Sequence, residues 1–257
     1  MSQKKSYSLL GIWVNALTIS DLNALIAEAV EKGERWVIAN HNLNSLRLYH
    51  EDPKMREFYA RSDYIHVDGM PLILLGRLLK LPLRREHRVT YADWIYPLMA
   101  EAAQQGWRVF YLGSKPGVAQ QGAEILSEKY AGLEIATADG YFDARPDSAD
   151  NQAILEMINS YQPQVLMVGM GMPRQEHWLV DNLDRLRVNA ILPAGAAMDY
   201  VAGAVPTPPR WAGRWGLEWL FRLISEPKRL WRRYLVDPWF VLKLLAIEFI
   251  QGSKRKK

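Results

Sequence analysis

The chain has 257 residues, of which 49% are hydrophobic, and it contains no cysteine. This length and composition allow one domain with a full core and an appendage, and the lack of cysteine excludes disulfides, thiolate metal sites and cysteine catalysis. The formal net charge of +4 is uneven, because residues 207–257 have twelve Lys or Arg against four acidic residues, and residues 1–206 therefore carry −4. The first 18 residues hold only a short, interrupted apolar run, so we expect no signal peptide and a cytoplasmic location.

Apolar, β-branched runs alternate with helix-like segments between residues 36 and 192. We predict strands at 36–39, 64–67, 107–112, 133–137, 165–168 and 189–192. We predict helices near 46–49, at 55–60, 70–80, 91–105, 117–130 and 149–161, and one that begins at Pro173. The helix at 70–80 is expected to be mostly buried against the sheet. Strands separated by such helices indicate a Rossmann-like α/β fold, in which a mostly parallel sheet has helices on both faces.

The predicted strand at 64–67 is followed by Asp68 and the turn residue Gly69. In open α/β sheets, ligands bind at this end of the strands. A carboxylate between a buried strand and an apolar helix costs free energy unless it is paired, hydrogen-bonded or used in chemistry. Asp68 is therefore a candidate catalytic residue, and the N-cap of the following helix is an equally good explanation.

Polar side chains cluster after the first predicted strand, at Asn40, His41, Asn42 and Asn44. Amides at a strand end suit sugar hydroxyls or a nucleotide, and they equally suit Asx-turns and helix caps. We expect this cluster to share the edge of a cleft with Asp68. No pair of histidines has metal-ligand spacing together with a carboxylate, and we predict no metal site.

Two glycine-containing turns lie between a predicted strand and a predicted helix, one at Gly113 and the other at Gly169 and Gly171. Glycine permits close backbone approach, and the N–H groups at a helix start favour an anion. Two such turns together favour a nucleotide pocket. Neither turn has the full P-loop or dinucleotide spacing, so we predict no NAD or FAD cofactor. Gln175 and Glu176 would face the ligand from the first helical turn. Ordinary turn chemistry also explains either motif alone.

Residues 207–257 form a basic appendage that contains five of the ten tryptophans. Basic residues interleaved with tryptophan suit an anionic membrane surface, nucleic acid, or a solvated basic face on helices that pack on the core. Residues 239–250 are apolar but too short and too charged to span a bilayer. We therefore predict a catalytic domain at 1–206 and basic, amphipathic, membrane-docking helices at 207–257.

The sequence has no two aspartates two residues apart, and thus lacks the Asp-x-Asp signature with which many sugar transferases hold a metal-bound nucleotide diphosphate. A transferase of this kind would neutralise the leaving diphosphate with arginine, lysine or helix N-termini. The candidates in the appendage are Arg214, Arg222, Arg229 and Arg232.

Several motifs together resemble the bacterial WecG/TagA/CpsF glycosyltransferases, which build lipid-linked cell-surface polysaccharides. They are Asn40-x-Asn42, Val67-Asp68-Gly69, Arg88-Val89-Thr90 with Asp93, Phe110 to Gly113, Gly140-Tyr141-Phe142, the turn from Gly169 to Glu176 with Trp178, and the Arg/Trp-rich appendage. The resemblance covers roughly residues 8–235, and its most specific part is the Gly-x-Gly-x-Pro-x-Gln-Glu turn.

The resemblance implies an inverting, metal-independent transfer of a sugar from a UDP-sugar to an undecaprenyl-diphosphate-linked saccharide, at the inner face of the cell membrane. It makes Asp68 the general base for the acceptor hydroxyl. Asn42 and Gln175 match positions that line the sugar and nucleotide pocket, and Arg88 matches an arginine near the active site. The family commonly has threonine at the position of Asn40.

The segments 41–44 and 85–88 are closer to exopolysaccharide glucosyltransferases of the gum type than to N-acetylmannosamine enzymes. The predicted substrate-binding residues are Asn40, Gly113, Gly140, Gly169, Gly171, Gln175 and Glu176, with the four arginines of the appendage. Two other functions stay open, a non-catalytic membrane scaffold and a nucleic-acid-binding protein, although the acidic body offers nucleic acid no second surface. A homo-oligomer is compatible with the sequence.

Overall fold

The computed structural model describes residues 5–206, 220, 223–224 and 237–254. The strands are β1 (Ser6–Leu9), β2 (Ile12–Asn15), β3 (Trp36–His41), β4 (Tyr64–Val67), β5 (Arg108–Gly113), β6 (Glu134–Ala138), β7 (Val165–Gly169) and β8 (Ala190–Pro193). The helices are α1 (Ile19–Lys32), α2 (Leu43–Glu51), α3 (Pro53–Ala60), α4 (Met70–Leu78), α5 (Tyr91–Gln105), α6 (Val118–Lys129), α7 (Ala149–Tyr161), α8 (Arg174–Asn182), α9 (Ala197–Val201) and α10 (Asp237–Lys254).

Strands β3 to β8 form one six-stranded sheet in the order β4-β3-β8-β7-β5-β6, in which every neighbouring pair is parallel. The six predicted strands are all present, with ends that differ by two residues or fewer from the observed ones. The Rossmann-like α/β prediction is therefore confirmed. Because the strands are parallel, their carboxyl ends all lie at one edge of the sheet, which we call the carboxyl edge.

The sheet divides the main core into two layers. All six residues of β3 are buried, and they alternate between the two faces as a pleated strand requires. Trp36 and Ile38 pack with side chains of α1 and α5, whereas Val37 and Ala39 pack with side chains of α3 and α8. Helices therefore cover both faces, and the polar residues that follow the strands are left at the carboxyl edge.

Three elements were not predicted from the sequence: the antiparallel β1–β2 hairpin, α1 and α9. The hairpin turns through Leu10 and Gly11, both with positive φ, in strands of only four residues. Helix α1 has local signals, since Thr18 and Asp21 form a capping box and Gly33 ends the helix in the left-handed conformation. The hairpin lies beside β4, where the Asn15 side chain accepts a 2.8 Å hydrogen bond from the Ile65 N–H.

Helix α4 departs from the prediction, because it is not mostly buried. Leu72 and Ile73 pack in a third core cluster with the hairpin and α10, but Leu74 and Leu78 are 55% and 57% exposed. The reason is topological. Strand β4 is the last strand on its side of the sheet, so the helix that follows it has packing partners on one side only.

The last described element, α10, packs on the body rather than standing away from it. Val241 and Leu245 are buried in the third core cluster, and the Phe240 ring lies 5.8 Å from that of His50 on α2. Trp239 is largely exposed. Among the helices of the described ranges, none is both long and apolar enough to cross a membrane.

Candidate active site

Asp68 and Asn42 lie side by side at the carboxyl edge, because β3 and β4 are paired up to His41 and Val67. The Asn42 side-chain oxygen caps α2 by accepting from the N–H groups of Asn44 and Ser45. Its amide nitrogen is thereby turned toward Asp68 and donates to Oδ2 over 3.4 Å. Of the two purposes considered from the sequence, the structure shows the helix cap, and it adds a contact between Asn42 and the candidate base.

The alternative explanation of Asp68 as a helix cap does not describe the structure. The N-cap of α4 is Gly69, which has φ of 111° and no side-chain capping bond. Asp68 is half-buried, and its backbone N–H donates to the His41 carbonyl. The carboxylate is therefore placed by the sheet and by Asn42, and not by the helix that follows.

Arg88 lies next to this pair through its backbone. Val67 and Arg88 form an isolated parallel bridge, and the Val89 N–H donates to the Val67 carbonyl. The Arg88 guanidinium donates to Asp93 over 2.7 Å, and its side chain is only 12% exposed. The structure therefore brings the segment that contains Arg88 to the end of β4, with the charge of Arg88 balanced by a carboxylate.

Gln175 joins two neighbouring turns of the carboxyl edge. Its side-chain oxygen accepts from the Gly171 N–H at 3.1 Å and from the Gly195 N–H at 3.2 Å. These glycines belong to the β7–α8 and β8–α9 turns. The side chain is 2% exposed, so Gln175 shapes the floor of the site more than it faces solvent. Helix α8 begins at Arg174, one residue after the predicted start at Pro173.

Glu176 is also buried, at 1% exposure. Its Oε1 accepts from the Gln175 amide nitrogen at 2.8 Å, and its Oε2 has no hydrogen-bond partner among the residues that the structure describes. Burial raises the pKa of Glu176 to about 7, and hydrogen bonds from Gln175 and its own backbone N–H oppose that shift. The group therefore changes charge near neutral pH, which is unusual for a carboxyl group.

The predicted glycines permit close approach between turns of the protein itself. A Cβ on Gly113 would overlap the backbone of Gly169, and one on Gly169 would overlap the Tyr111 hydroxyl and the Gly195 carbonyl. A Cβ on Gly140 would lie 3.2 Å from the Gly113 Cα. These three glycines thus let the turns after β5, β6 and β7 pack against one another. Gly171 is different, because it needs its positive φ of 79°.

Asn40 is used within the sheet. It is 5% exposed, and its amide nitrogen donates to the Pro193 carbonyl at the end of β8. The Tyr59 hydroxyl donates to the Asn40 carbonyl. Asn40 therefore links β3 to the end of β8 and to α3, and it stabilises the carboxyl edge from inside the protein. His41 lies beside it, fully buried and stacked on Tyr59 with 3.8 Å between ring centroids, and burial lowers its pKa to about 3.

One part of the carboxyl edge was missed by the sequence reasoning. The Ser114 hydroxyl donates to Asp199 at the start of α9 over 2.9 Å, and the Tyr111 hydroxyl donates to the Gly195 carbonyl. These bonds tie the β5–α6 turn to the β8–α9 turn. The signal was weaker here, since Gly195 comes three residues after the predicted strand at 189–192, whereas Gly113 and Gly169 directly follow theirs.

The last predicted binding residues are the four arginines of the appendage. Arg214, Arg222, Arg229 and Arg232 lie outside the described residues. Within the described ranges, no group of three or more His, Asp or Glu side chains is arranged to hold a metal ion. The described part of the site therefore consists of Asp68, Asn42, Arg88, the glycine turns and the Gln175–Glu176 pair.

The fold and the carboxyl edge define a Rossmann-like α/β protein with a candidate site of carboxylate and amide side chains at the ends of its parallel strands. The chain belongs to the glycosyl transferase WecG/TagA/CpsF family, whose model matches residues 7–255. This match covers nearly the whole sequence and confirms the resemblance. Sugar transfer is therefore the class of activity, and a role in making surface polysaccharide fits it.

Proposed function

We propose that the protein transfers a sugar from a UDP-sugar to an undecaprenyl-diphosphate-linked saccharide, with inversion at the anomeric carbon and without a metal ion. The sugar is glucose or of the N-acetylmannosamine type. The observation that carries the proposal is Asp68, which stands at the carboxyl edge with its Oδ2 held by Asn42. Membership of a glycosyltransferase family supports it.

In this mechanism Asp68 is the general base. It takes the proton of the acceptor hydroxyl while the hydroxyl oxygen forms a bond to the anomeric carbon. The bond from that carbon to the diphosphate oxygen breaks, and UDP leaves with the bonding electron pair. A single displacement of this kind inverts the anomeric configuration. A base must be oriented toward the proton it removes, and the hydrogen bond from Asn42 supplies that orientation.

The donor is proposed to bind along the turns after β5, β7 and β8. Gln175 bonds to the turns after β7 and β8. Ser114, in the turn after β5, bonds to Asp199 on α9, which follows the β8 turn. The diphosphate of the donor already carries two negative charges and gains a third as the bond to the sugar breaks, and cationic side chains stabilise such a transition state. We assign this role to Arg88 and to Arg214, Arg222, Arg229 and Arg232 of the appendage.

The acceptor lipid places the reaction at the inner face of the cell membrane. We assign residues 1–206 to the catalytic domain and residues 207–257 to a docking appendage for the anionic lipid surface. The appendage has a net charge of +8 and five tryptophans in support of this role. Helix α10 packs on α2, and Asn42 is the N-cap of α2, so the described end of the appendage contacts an element of the candidate site.

The test is UDP release by the purified protein. The acceptors are undecaprenyl-diphosphate-glucose and undecaprenyl-diphosphate-N-acetylglucosamine, the donors are a panel of UDP-sugars, and each reaction is run with and without EDTA. Release that requires both donor and lipid acceptor supports the proposal, and the preferred donor decides between glucose and an N-acetylated sugar. UDP binding without release on either acceptor would overturn the assigned acceptor, and loss of all activity in EDTA would overturn metal independence.

A further inference from the structure

Glu176 has a property that the mechanism above does not use. Its carboxyl group is buried under the carboxyl edge at 1% exposure, yet one oxygen, Oε2, has no hydrogen-bond partner within the described part of the chain. A buried carboxylate oxygen without a partner costs several times more free energy than a neutral hydroxyl in the same place. This geometry favours the protonated carboxyl group.

The other oxygen of Glu176 fixes the orientation of Gln175. Because Oε1 accepts from the Gln175 amide nitrogen, the amide oxygen of Gln175 must point the opposite way, toward the N–H groups of Gly171 and Gly195. A flipped amide would set an N–H donor against two N–H donors. Glu176 thus acts through Gln175 on the two turns that form the proposed donor side of the site.

The charged surroundings of Glu176 contain another carboxylate. The phenols of Tyr59 on α3 and Tyr91 on α5 have pKa values well above the usual range, first because of burial and then because both feel the negative charges of Glu176 and Asp68. The cations between α3 and α8 have acidic partners: Lys54 bonds to Asp181 and Arg61 to Asp184, while His177 bonds to Asp52.

We propose that Glu176 is a positioning residue that serves the reaction as a neutral acid, holding Gln175 while keeping a second negative charge away from the site that receives the anionic donor. Ionisation of Glu176 places a buried charge beneath the same turns and weakens donor binding. The inference rests on the proposed function only in that the donor carries a diphosphate. Burial sets the pKa of the group to about 7, so the change falls within an accessible pH range.

The experiment compares the wild-type protein with Glu176→Gln, which has the shape of the neutral acid and cannot ionise. Glu156→Gln, on the exposed face of α7, is the matched control. Binding of UDP-glucose is measured at about pH 6 and about pH 8.5, in both the wild-type background and a His177→Gln background, because His177 directly follows Glu176 in the chain and contacts Asp52. The UDP-sugar diphosphate carries a constant charge over this range.

We expect wild-type affinity for UDP-glucose to fall roughly tenfold between the two pH values, the size of effect that one buried charge exerts on a nearby anion. Glu176→Gln should bind equally well at both, and Glu156→Gln should behave like the wild type. Glu176→Asp, which keeps the acid but moves it away from Gln175, should bind more weakly at both pH values and retain a pH dependence. An identical decline in Glu176→Gln and the wild type would overturn the inference while leaving the proposed function intact.

A second readout needs no ligand. As the pH rises from about 5 to about 8, the unfolding free energy of the wild-type protein should fall relative to that of Glu176→Gln, because only the wild type loses the stability that a neutral Glu176 contributes. If neither protein binds any UDP-sugar of the panel, the proposed donor fails. In that case, equal dependence of unfolding on pH in the wild type and Glu176→Gln would show that Glu176 is not a neutral acid. A different dependence on pH in the two proteins would limit its role to holding the turns and would refute its effect on donor binding.

Discussion

The side-chain amide of Asn42 links Asp68 to helix α2 across the β3–β4 pair. Its nitrogen donates to Asp68, and its oxygen caps the N-terminus of α2. The orientation of the candidate base is therefore tied to the start of a helix. An isolated carboxylate would rotate freely about its side-chain bonds. Here the capping hydrogen bonds fix the orientation of the Asn42 amide, and the amide in turn fixes the orientation of the Asp68 carboxylate.

Asn42→Ser separates the two roles of this side chain. Serine keeps an oxygen that caps α2, so the free energy of unfolding should change by less than about 1 kcal/mol. The donor to Asp68 is lost, and kcat should fall roughly tenfold or more because the base is misplaced. Urea unfolding and UDP release measure the two effects. Ser148→Ala, which removes the cap of α7, should show the reverse pattern, and wild-type kcat in Asn42→Ser would contradict the role of Asn42.

Asp68→Asn should abolish turnover while leaving donor binding nearly intact. The amide cannot accept the proton of the acceptor hydroxyl, and loss of a general base lowers kcat by roughly a hundredfold or more. Calorimetry with UDP-glucose should show an affinity within about threefold of the wild type. Asp63→Asn is the matched control, because Asp63 directly precedes the same strand at its opposite end, where its carboxylate accepts from the Val37 backbone N–H. Turnover near the wild-type rate in Asp68→Asn would remove Asp68 as the base.

Two buried histidines should make the protein less stable in acid. Burial lowers the pKa of His41 to about 3 and that of His66 to about 4, so the unfolded chain takes up protons first as the pH falls below the ordinary value of 6.5. Each group should cost on the order of 1 kcal/mol per pH unit from there down to its folded pKa. Glu176 acts in the opposite direction, since its raised pKa adds stability as the pH falls below about 7.

His66→Gln isolates one of these contributions, because glutamine is polar but does not titrate. Urea midpoints measured between about pH 6.5 and about pH 4.5 should fall less steeply in His66→Gln than in the wild type. Parallel curves for the two proteins would show that His66 is not held neutral by burial.

Gly169 and Gly171 should respond differently to an added methyl group. In Gly169→Ala the Cβ would overlap the Tyr111 hydroxyl and the Gly195 carbonyl, so we expect a loss of about 2 kcal/mol or more together with weaker UDP-glucose binding. In Gly171→Ala the Cβ meets no heavy atom of the described chain within 4 Å, and only the positive φ of 79° opposes it, at about 1 kcal/mol. Equal urea midpoints would contradict the close packing of the turns.

The sheet and the position of Asp68 follow from the sequence because both rest on local patterns. The strand before Asp68 is apolar and β-branched, and the Asp-Gly pair ends it, so the carboxyl edge could be located without knowing which strands are neighbours. The register of β3 against β4 is a tertiary property. No local pattern predicts that Asn42 would meet Asp68 rather than only cap its own helix.

The roles of Gln175 and Asn40 could not be predicted from local sequence patterns, because both depend on tertiary contacts. Each side chain bonds to backbone groups of a distant segment, Gln175 to Gly195 and Asn40 to Pro193, and those partners are defined only once β8 lies between β3 and β7. The exposure of Leu74 was misjudged because the sequence does not reveal that β4 is at the side of the sheet. The apolar composition of α4 predicts a buried helix, but its place beside the outermost strand leaves one face of it exposed.

The hydrogen bond from Ile65 to Asn15 has a consequence for self-association. An outermost strand offers unpaired N–H and C=O groups to any other chain, and such strands seed aggregation. Here the hairpin lies against β4, and a side-chain amide of Asn15, itself 6% exposed, occupies one of the backbone donors. The hairpin thus occupies part of the outer side of the strand that precedes the candidate base, and removing residues 6–15 would expose this backbone donor to other chains.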